Sequence, residues 1–185
     1  MTAKSGSTSP SSTMGRVMIV GAPGSGKSTL ARALGERTGL PVFHMDHIHW
    51  KSGWVERTQD EKIPMVLNIQ SKPSWILEGG HSRTYADRIA RADTFIWLDV
   101  ALPLRVFRVL RRSYLYRGRT RPDLPEGCPE QFNRQTLEFL GFIWRTRHTS
   151  RAQLNAIFQD PPAHLKCYRL TRLSDVNRFL ANLPA

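Results

Sequence analysis

The sequence predicts an α/β fold in which a parallel sheet is covered by helices on both faces. Three observations lead to that prediction. Short, almost continuous apolar runs recur along the chain, which is typical of strands buried on both sides. The stretches between them space their apolar residues as helices do. A glycine-rich turn joins the first apolar run to the first helix, a context that indicates a phosphate-binding site.

The glycine-rich turn is GAPGSGKST, residues 21–29, which fits the P-loop pattern G-x-x-x-x-G-K-[ST]. A strand is predicted before it over residues 16–20, and a helix after it over residues 30–37. Backbone N–H groups in such a turn form a concave nest for anions, and the helix N-terminus adds unpaired donors. Lys27 is expected to reach the β- and γ-phosphates, and the Ser28 hydroxyl to bind Mg²⁺. The residues expected to hold the nucleotide here are Gly21, Ala22, Pro23, Gly24, Ser25, Gly26, Lys27, Ser28 and Thr29.

Length and composition bound the class of protein. A chain of 185 residues suits one domain, which we place at residues 15–185, after a Ser/Thr-rich tail over residues 1–14 that we expect to be disordered. No apolar run approaches the roughly 20 residues that a membrane span needs. Two cysteines, Cys128 and Cys167, make no disulfide framework and suit a reducing compartment. We therefore expect a cytoplasmic protein with no membrane partner.

The charge is large and uneven. The formal net charge is +12, and residues 101–151 hold eleven Arg against four acidic residues. A basic surface of this kind indicates either a nucleic-acid partner or a substrate that carries several phosphates. Both interpretations stay open on charge alone.

Acidic residues end two further predicted strands. The second strand, over residues 41–46, ends at Asp46, and the third, over residues 73–80, contains Glu78 near its end. Ligands in open α/β sheets bind at the carboxyl ends of strands. Asp46 and Glu78 are therefore expected at the same edge as the P-loop.

Aromatic and imidazole side chains cluster after the second strand. The cluster contains His44, His47, His49, Trp50 and Trp54. A transition-metal site is one interpretation, but the spacing fits no closed zinc pattern and no cysteine is nearby. The favoured one is a loop that faces the substrate and presents flat indole surfaces. Core packing of the two tryptophans is the alternative.

The remaining elements follow from periodicity, proline and glycine. Helices are predicted over residues 59–71, 85–92, 130–146, 150–158 and 175–183, with a further one starting near Pro103, and strands over residues 94–99 and 164–170. The helix after Pro103 carries an apolar stripe and a basic face of four arginines.

A segment rich in Gly, Pro and Arg interrupts the helices at residues 116–130. Loops of this length are usually functional. A basic lid can exclude water and bring guanidinium groups to a transferring phosphoryl group. We expect Arg117 and Arg121 to be catalytic and Arg119 to contact the nucleotide. A solvated charged loop is the alternative.

Taken together, the P-loop, the acid-ended strands and the Arg-rich segment resemble nucleoside monophosphate kinases and shikimate or gluconate kinases. The narrower resemblance is to the adenylate-kinase-related family often labelled topology modulation protein. It is carried by D-x-x-x-W-x-x-G-W from Asp46, A-D-T from Ala92, Y-R-G-R-T-R-P-D from Tyr116 and E-G-C-P-E from Glu126.

That resemblance implies a three-layer P-loop NTPase fold, with a five-stranded parallel sheet in the order 2-3-1-4-5, helices on both faces and an Arg-rich lid. It also implies ATP and Mg²⁺. Lys27 and Ser28 would hold phosphate and metal, and Asp46 would lie near the acceptor hydroxyl.

The resemblance also places residues of the third strand and the helix that follows. Glu78-Gly79 matches an Asp-Gly pair whose acid holds a metal-bound water, so Glu78 becomes a metal candidate and Gly79 a substrate candidate. Arg88 matches an arginine that could bind the acceptor, with a structural ion pair to a neighbouring aspartate as the alternative. The chain departs from the family in having Glu at position 78 and Gly80-His81 after the pair.

The favoured function is phosphoryl transfer from ATP to a small acceptor, which could be a nucleoside, a nucleotide or a hydroxyl metabolite. Lys27, Mg²⁺ and the lid arginines would stabilise the charge, and Asp46 would orient an acceptor hydroxyl. A carboxylate there favours an alcohol, since a phosphate acceptor is already ionised. The alternatives are a nucleic-acid-binding regulator that uses ATP, without a recognisable binding motif, and an ATPase without an acceptor. The oligomeric state stays open.

Overall fold

The structure is a computed structural model, and it describes residues 14–183. The tail expected to be disordered, residues 1–14, therefore lies outside the described residues except for Met14. None of the helices within residues 14–183 is long and apolar enough to cross a membrane.

The centre of the fold is a five-stranded parallel sheet. Its strands are β1 (Arg16–Gly21), β2 (Val42–His44), β5 (Trp75–Glu78), β6 (Thr94–Leu98) and β7 (Lys166–Leu170), and a separate two-stranded hairpin is made by β3 (Trp50–Lys51) and β4 (Val55–Glu56). The order across the sheet is β2-β5-β1-β6-β7, and every pairing in it is parallel. Counting only the strands of this sheet, the order is the expected 2-3-1-4-5.

Helices cover both faces of the sheet. They are α1 (Lys27–Thr38), α2 (Met45–His49), α3 (Gln59–Gln70), α4 (Tyr85–Arg91), α5 (Leu102–Leu115), α6 (Arg134–Gln159) and α7 (Leu173–Ala181). One apolar core joins the sheet to α1 and α7, and a second joins it to α2, α3, α4 and α6. The central strands are buried on both sides, which explains their continuous apolar sequences.

Local sequence explains where several of these helices begin and end. The α1 helix ends at Gly39, which adopts the left-handed conformation with φ 71° and donates its N–H to Gly35 O. The α3 helix starts with a capping box, in which Thr58 and Glu61 satisfy each other's backbone N–H groups. Its Pro64 lies within the helix without ending it.

Three predictions of local structure were wrong. The second strand ends at His44, so Asp46 lies in the first turn of α2 instead of at the strand end. The segment after it contains the β3–β4 hairpin, which was expected to be a loop. Residues 130–146 and 150–158 were predicted as two helical pieces, but α6 is one helix of 26 residues. No proline or glycine separates the two predicted pieces, so nothing in the sequence forces a break there.

Candidate active site

The P-loop forms the floor of the site, between β1 and α1. Gly26 precedes the helix with φ 99°, a conformation that favours glycine, and its carbonyl accepts the N–H of Leu30 at 3.0 Å. Lys27 begins the helix, and its Nζ donates to Ala22 O at 3.4 Å, so the ammonium group folds back over the turn. The backbone N–H groups and the helix N-terminus together make an anion-binding floor.

Beside the P-loop, three polar side chains form a chain of hydrogen bonds. Ser28 Oγ donates to Glu78 Oε1 at 3.0 Å, and His44 Nδ1 lies 2.7 Å from the same oxygen. The sheet register pairs His44 with Glu78, which places both at the carboxyl ends of adjacent strands. The predicted approach of Glu78 to the P-loop edge is therefore present. The role of His44 in holding it was not anticipated.

The environment of Glu78 favours its ionised form. Burial would raise the pKa of Glu78, but the hydrogen bond with His44 and the positive charge of Lys27 outweigh burial and leave that pKa below its ordinary value. Glu78 is therefore a carboxylate at neutral pH, although only 3 % of its surface is exposed.

Asp46 lines the same cleft as the P-loop, although it lies on α2 and not on a strand. Its pKa is raised, first by burial and second by the negative charge of Glu78, while Lys27 and Arg121 act in the opposite direction. A carboxylate whose pKa is raised is a better proton acceptor than an ordinary one. A carboxylate in this environment can act as a general base.

The wall next to Asp46 is aromatic. Trp50 and Trp54 line the cleft and meet edge to face, with ring centroids 5.4 Å apart, and the ring of His49 packs edge-on against Trp50 at 4.6 Å. Both tryptophans are half-buried, so they are not the core residues of the alternative interpretation. Trp54 also has a left-handed backbone with φ 60°, which is uncommon for a bulky residue.

The lid, residues 116–130, is fastened to this aromatic wall. Trp54 Nε1 donates to Pro129 O at 3.0 Å, and Gly53 N donates to Gly127 O at 2.9 Å. Cys128 Sγ lies 3.2 Å from Lys51 O, and the cysteine is fully buried. The lid is therefore an ordered structure that packs on the β3–β4 hairpin, and not a solvated loop.

The three lid arginines occupy different places. Arg121 lines the cleft, with 8 % of its surface exposed; it forms an ion pair with Asp123 and another with Glu130 at 2.7 Å. Arg117 and Arg119 are exposed and do not line the cleft. Of the three, only Arg121 stands at the site in this structure, whereas Arg117 was expected to be catalytic and Arg119 to contact the nucleotide.

Helix α5 supplies arginines that the sequence reasoning did not assign to the site. Arg108, Arg111 and Arg112 line the cleft, and Arg108 Nη1 donates to Ser25 O in the P-loop at 3.2 Å. Arg112 lies 3.3 Å from Glu130. The basic face of this helix was visible in the sequence, and only its orientation towards the P-loop was missing.

Gly79 and Arg88 shape the end of β5. Gly79 lines the cleft with φ 115°, and a Cβ there would lie 2.5 Å from Met45 Cβ. Arg88 is fully buried and donates to Gly79 O at 2.8 Å and to Leu77 O at 2.7 Å. Burial lowers the pKa of Arg88 to about 10. The prediction that Arg88 contacts the acceptor is wrong for this structure, in which it holds the strand end from behind and forms neither expected aspartate ion pair.

The histidine cluster does not form a metal site in the described part of the chain. His47 Nε2 lies 3.3 Å from Pro122 O, and His49 Nε2 lies 3.4 Å from Glu56, so the histidines have different partners. No group of three or more His, Cys, Asp or Glu residues within residues 14–183 is arranged to hold a metal ion. The transition-metal interpretation therefore loses its support.

For Mg²⁺ the relevant test is the donor set beside the P-loop. Ser28 Oγ and Glu78 Oε1 are 3.0 Å apart, and both are hard oxygen donors of the kind that Mg²⁺ prefers. Mg²⁺ usually keeps several waters and takes one or two protein ligands together with substrate phosphates. The residues present fit such a site, even though they do not form an all-protein cage.

All these features surround one cleft. It encloses about 1230 Å³, and its lining includes residues of the P-loop, α5, α2, the β3–β4 hairpin and the end of β5. Single-ligand pockets are typically about 300–1,000 Å³, so the space suits two substrates.

A parallel sheet in this order, with the glycine-rich turn between β1 and α1, defines a P-loop protein that binds nucleotide phosphates. The chain belongs to the AAA domain family, whose match covers residues 17–123. The resemblance to P-loop kinases is also confirmed, because a shikimate kinase is among the similar proteins.

Two relatives illustrate this. A shikimate kinase of Paracidovorax citrulli is 29% identical over 133 residues, which is 61% of this chain and 68% of that protein. The crystal structure of shikimate kinase from Bacteroides thetaiotaomicron matches with a TM-score of 0.55 at 16% identity, and covers 92% of this chain and 96% of that one. At that identity the structural likeness shows the fold alone.

Proposed function

We propose that the protein transfers the γ-phosphoryl group of ATP to a hydroxyl group of a small acceptor. The observation that carries the proposal is that the P-loop and Asp46 line the same cleft. The P-loop would bind the phosphates, and a buried carboxylate of raised pKa could accept the proton of an attacking hydroxyl. The kinase relatives support the same reaction class.

Different residues of the cleft have different roles in this reaction. The P-loop backbone and Lys27 bind and orient the phosphates, and Asp46 accepts the proton of the attacking hydroxyl. Arg121, with Arg108 and Arg111 on α5, supplies positive charge around the transferring group. The ordered lid excludes water, which limits hydrolysis of ATP.

Mg²⁺ would be held by Ser28 directly and by Glu78 directly or through a water. When bound, it neutralises charge on the phosphate oxygens. His44 fixes the orientation of the Glu78 carboxylate, and Lys27 helps to keep it ionised.

A screen of ADP release tests the proposal. The protein is incubated with ATP and Mg²⁺, with and without nucleosides, sugars, polyols and hydroxy acids. We expect one acceptor class to stimulate ADP release, and the stimulation to disappear in both Lys27→Ala and Asp46→Asn. ADP release that no compound stimulates and that Asp46→Asn leaves unchanged would favour an ATPase instead.

The nucleic-acid alternative has its own test. Seven arginines of residues 101–151 donate to backbone oxygens or form ion pairs within the chain; they are Arg105, Arg108, Arg112, Arg121, Arg134, Arg147 and Arg151. This leaves less of the basic segment for phosphate backbones. A gel-shift assay with DNA and RNA over a salt series should therefore show only weak binding. Tight, steeply salt-dependent binding without ATP would support the alternative.

A further inference from the structure

The acceptor half of the cleft differs in chemistry from the phosphate half. The acceptor half, as defined here, is lined by Asp46, His49, Trp50, Trp54, His81 and Tyr85. Five of these six residues carry rings, and the sixth is a carboxylate. Within residues 14–183, the Lys and Arg side chains that line the cleft come from other elements: Lys27 from the P-loop, Arg32 from α1, Arg108, Arg111 and Arg112 from α5, Arg121 from the lid and Arg172 from the start of α7.

The two imidazoles of the acceptor half do not add positive charge. Burial lowers the pKa of His49, and the nearby Lys62 lowers it further. The pKa of His81 is lowered by the same two causes in the same order. Both rings are therefore mainly neutral at pH 7, so neither adds a positive charge beside Asp46.

Arg83, which acts on His81, is an exposed cation near the acceptor half. Other cations near this half already have partners among the described residues. Arg57 Nη1 donates to the carbonyls of His47 and Trp50, at 2.9 and 2.5 Å. Lys62 is fully buried and donates to Glu56 at 2.5 Å.

Two arginines near the acceptor half also have partners within the chain. Arg88 lies behind β5 on backbone carbonyls, and Arg121 forms ion pairs with Asp123 and Glu130. The cations that act on Asp46 are Lys27, which folds over the P-loop, and Arg121, which is held by its two acidic partners. A carboxylate or phosphate on the acceptor would thus place a second negative charge beside the buried Asp46, which is costly unless a cation pairs with it.

The aromatic wall, in contrast, favours contact with a planar ligand. Trp50 and Trp54 are fixed edge to face, and the indole N–H of Trp54 is tied to Pro129 in the lid. Fixed rings bind a planar partner without losing much side-chain entropy. An aromatic ring stacked on such a side chain contributes about 1–3 kcal/mol in other proteins that bind bases.

We infer that the acceptor is an uncharged alcohol with a flat aromatic face, a class that includes nucleosides, and not a hydroxy acid. The inference rests on the proposed function and names the substrate class of the same site. The ring lies against Trp50 and Trp54, and the hydroxyl points to Asp46. This separates the chain from its shikimate kinase relatives, whose name gives a carboxylate-bearing substrate.

Equilibrium binding with matched ligands tests the inference separately from catalysis. The ATP site is first filled with a non-hydrolysable ATP analogue and Mg²⁺. Calorimetry then compares 1-phenyl-1,2-ethanediol with mandelate, which share a ring and a hydroxyl but differ in the carboxylate, and thymidine with shikimate. We expect the uncharged member of each pair to bind at least about tenfold more tightly.

Variants of Trp50 test whether the aromatic wall binds the uncharged ligands. Trp50→Leu should weaken binding of the uncharged ligands about tenfold. Trp50→Phe should retain most of the parent's affinity because a ring remains. Trp144→Leu, which removes an indole exposed on α6, is the matched control and should bind as the parent does. Tighter binding of mandelate and shikimate, or equal affinities in Trp50→Leu and the parent, would overturn the inference.

Failure of the inference and failure of the proposed function give different results. If a hydroxy acid is phosphorylated, the inference is wrong and the proposed function stands. If the uncharged alcohols bind as expected but ATP yields only ADP and inorganic phosphate, the inference about the ligand stands and phosphoryl transfer is wrong.

Discussion

The environment of Asp46 gives a clear indication of its role. Its folded-state pKa is raised above the ordinary value by burial and by Glu78, so ionisation at neutral pH costs folding free energy. A group with a raised pKa contributes stability at low pH, and that stability is lost as the pH rises through the folded-state pKa. Nothing about the fold requires this cost, which suggests that the carboxylate is kept for the chemistry.

Replacement of the Asp46 carboxylate should therefore increase the stability of the protein and abolish its activity. We expect Asp46→Asn to raise the melting temperature at pH 7 by roughly 2–4 °C, and the difference to shrink as the pH falls towards the ordinary pKa of aspartate. Melting curves from pH 4 to pH 8 measure it. Asp160→Asn, at the exposed end of α6, is the control and should melt as the parent does. An Asp46→Asn protein that melts lower than the parent at pH 7 would contradict this account of Asp46.

The lid arginines give a second prediction at the level of single residues. Arg121→Ala should reduce turnover by about 10³-fold or more, because Arg121 is the lid arginine that lines the cleft. It should also destabilise the fold by about 3–5 kcal/mol, since Asp123 and Glu130 would lose a buried partner. Turnover is therefore measured well below the melting temperature of the variant. Arg119→Ala, in the same lid but exposed, should stay within a few-fold of the parent, and equal losses in the two variants would count against the assignment.

Only part of the site could be predicted residue by residue. The P-loop was recognisable because its contacts are made within nine consecutive residues, 21–29, by the backbone and a helix end. The pairing of His44 with Glu78 depends on the register of two strands that are 34 residues apart, which no local pattern encodes. Arg88 was placed wrongly for the same reason, since a buried guanidinium on backbone carbonyls looks in sequence like any helix arginine.

The lid and the β3–β4 hairpin behave as one element. Their link consists of Trp54 on Pro129, Gly53 on Gly127 and Cys128 on Lys51. The hairpin also carries the aromatic wall of the acceptor half, and the lid carries Arg121. Occupation of the acceptor half should therefore also hold the lid in place.

Removal of one bond tests this link. Trp54→Phe keeps a ring in the wall but loses the indole N–H, so the lid should open more often. We expect faster amide hydrogen exchange in residues 116–130 and a raised KM for both substrates, with little change in melting temperature. Trp144→Phe on the α6 surface is the matched control. Unchanged exchange in the lid of Trp54→Phe would show that the bond does not hold it.

The turn after β5 requires glycine at position 79. Gly79 combines φ 115° with a position where a Cβ would lie 2.5 Å from Met45. Gly79→Ala should cost about 1–3 kcal/mol of stability and weaken Mg²⁺-dependent nucleotide binding, because Glu78 is its neighbour. Gly39→Ala shares the left-handed backbone, with φ 71°, but meets no atom within 4 Å. It should lose less stability and leave binding intact, as chemical denaturation and titration would show; equal effects would contradict the steric argument.

Elements were predicted well where local signals were strong. The five sheet strands and most helices follow from buried apolar runs and helical spacing, and α1 ends at the expected glycine. The hairpin was missed because its strands have two residues each, too few for an alternating pattern. The end of β2 was misplaced because an apolar run continues through Met45 into a helix whose Met45 and Ile48 pack in the same core.

At the scale of the whole molecule, the charge distribution matches a protein that handles phosphates inside a cleft. The basic segment, residues 101–151, runs along α5, the lid and α6, and most of its arginines line the cleft or bind within the chain. Of the two acidic residues at the cleft, Glu78 lies beside the P-loop serine and Asp46 lies on α2. The cations of the cleft are thus available to phosphates, and Asp46 is available to a hydroxyl that loses its proton.

The destination of the γ-phosphoryl group distinguishes phosphoryl transfer from hydrolysis. Protein, ATP and Mg²⁺ are incubated with panels of nucleosides, sugars, polyols, hydroxy acids and uncharged aromatic alcohols, and the products are followed by phosphorus NMR. We expect a phosphomonoester resonance that grows in step with ADP, and its absence in Asp46→Asn. ADP accompanied only by inorganic phosphate, with every acceptor class supplied and at the same rate in Asp46→Asn, would contradict the proposed phosphoryl transfer.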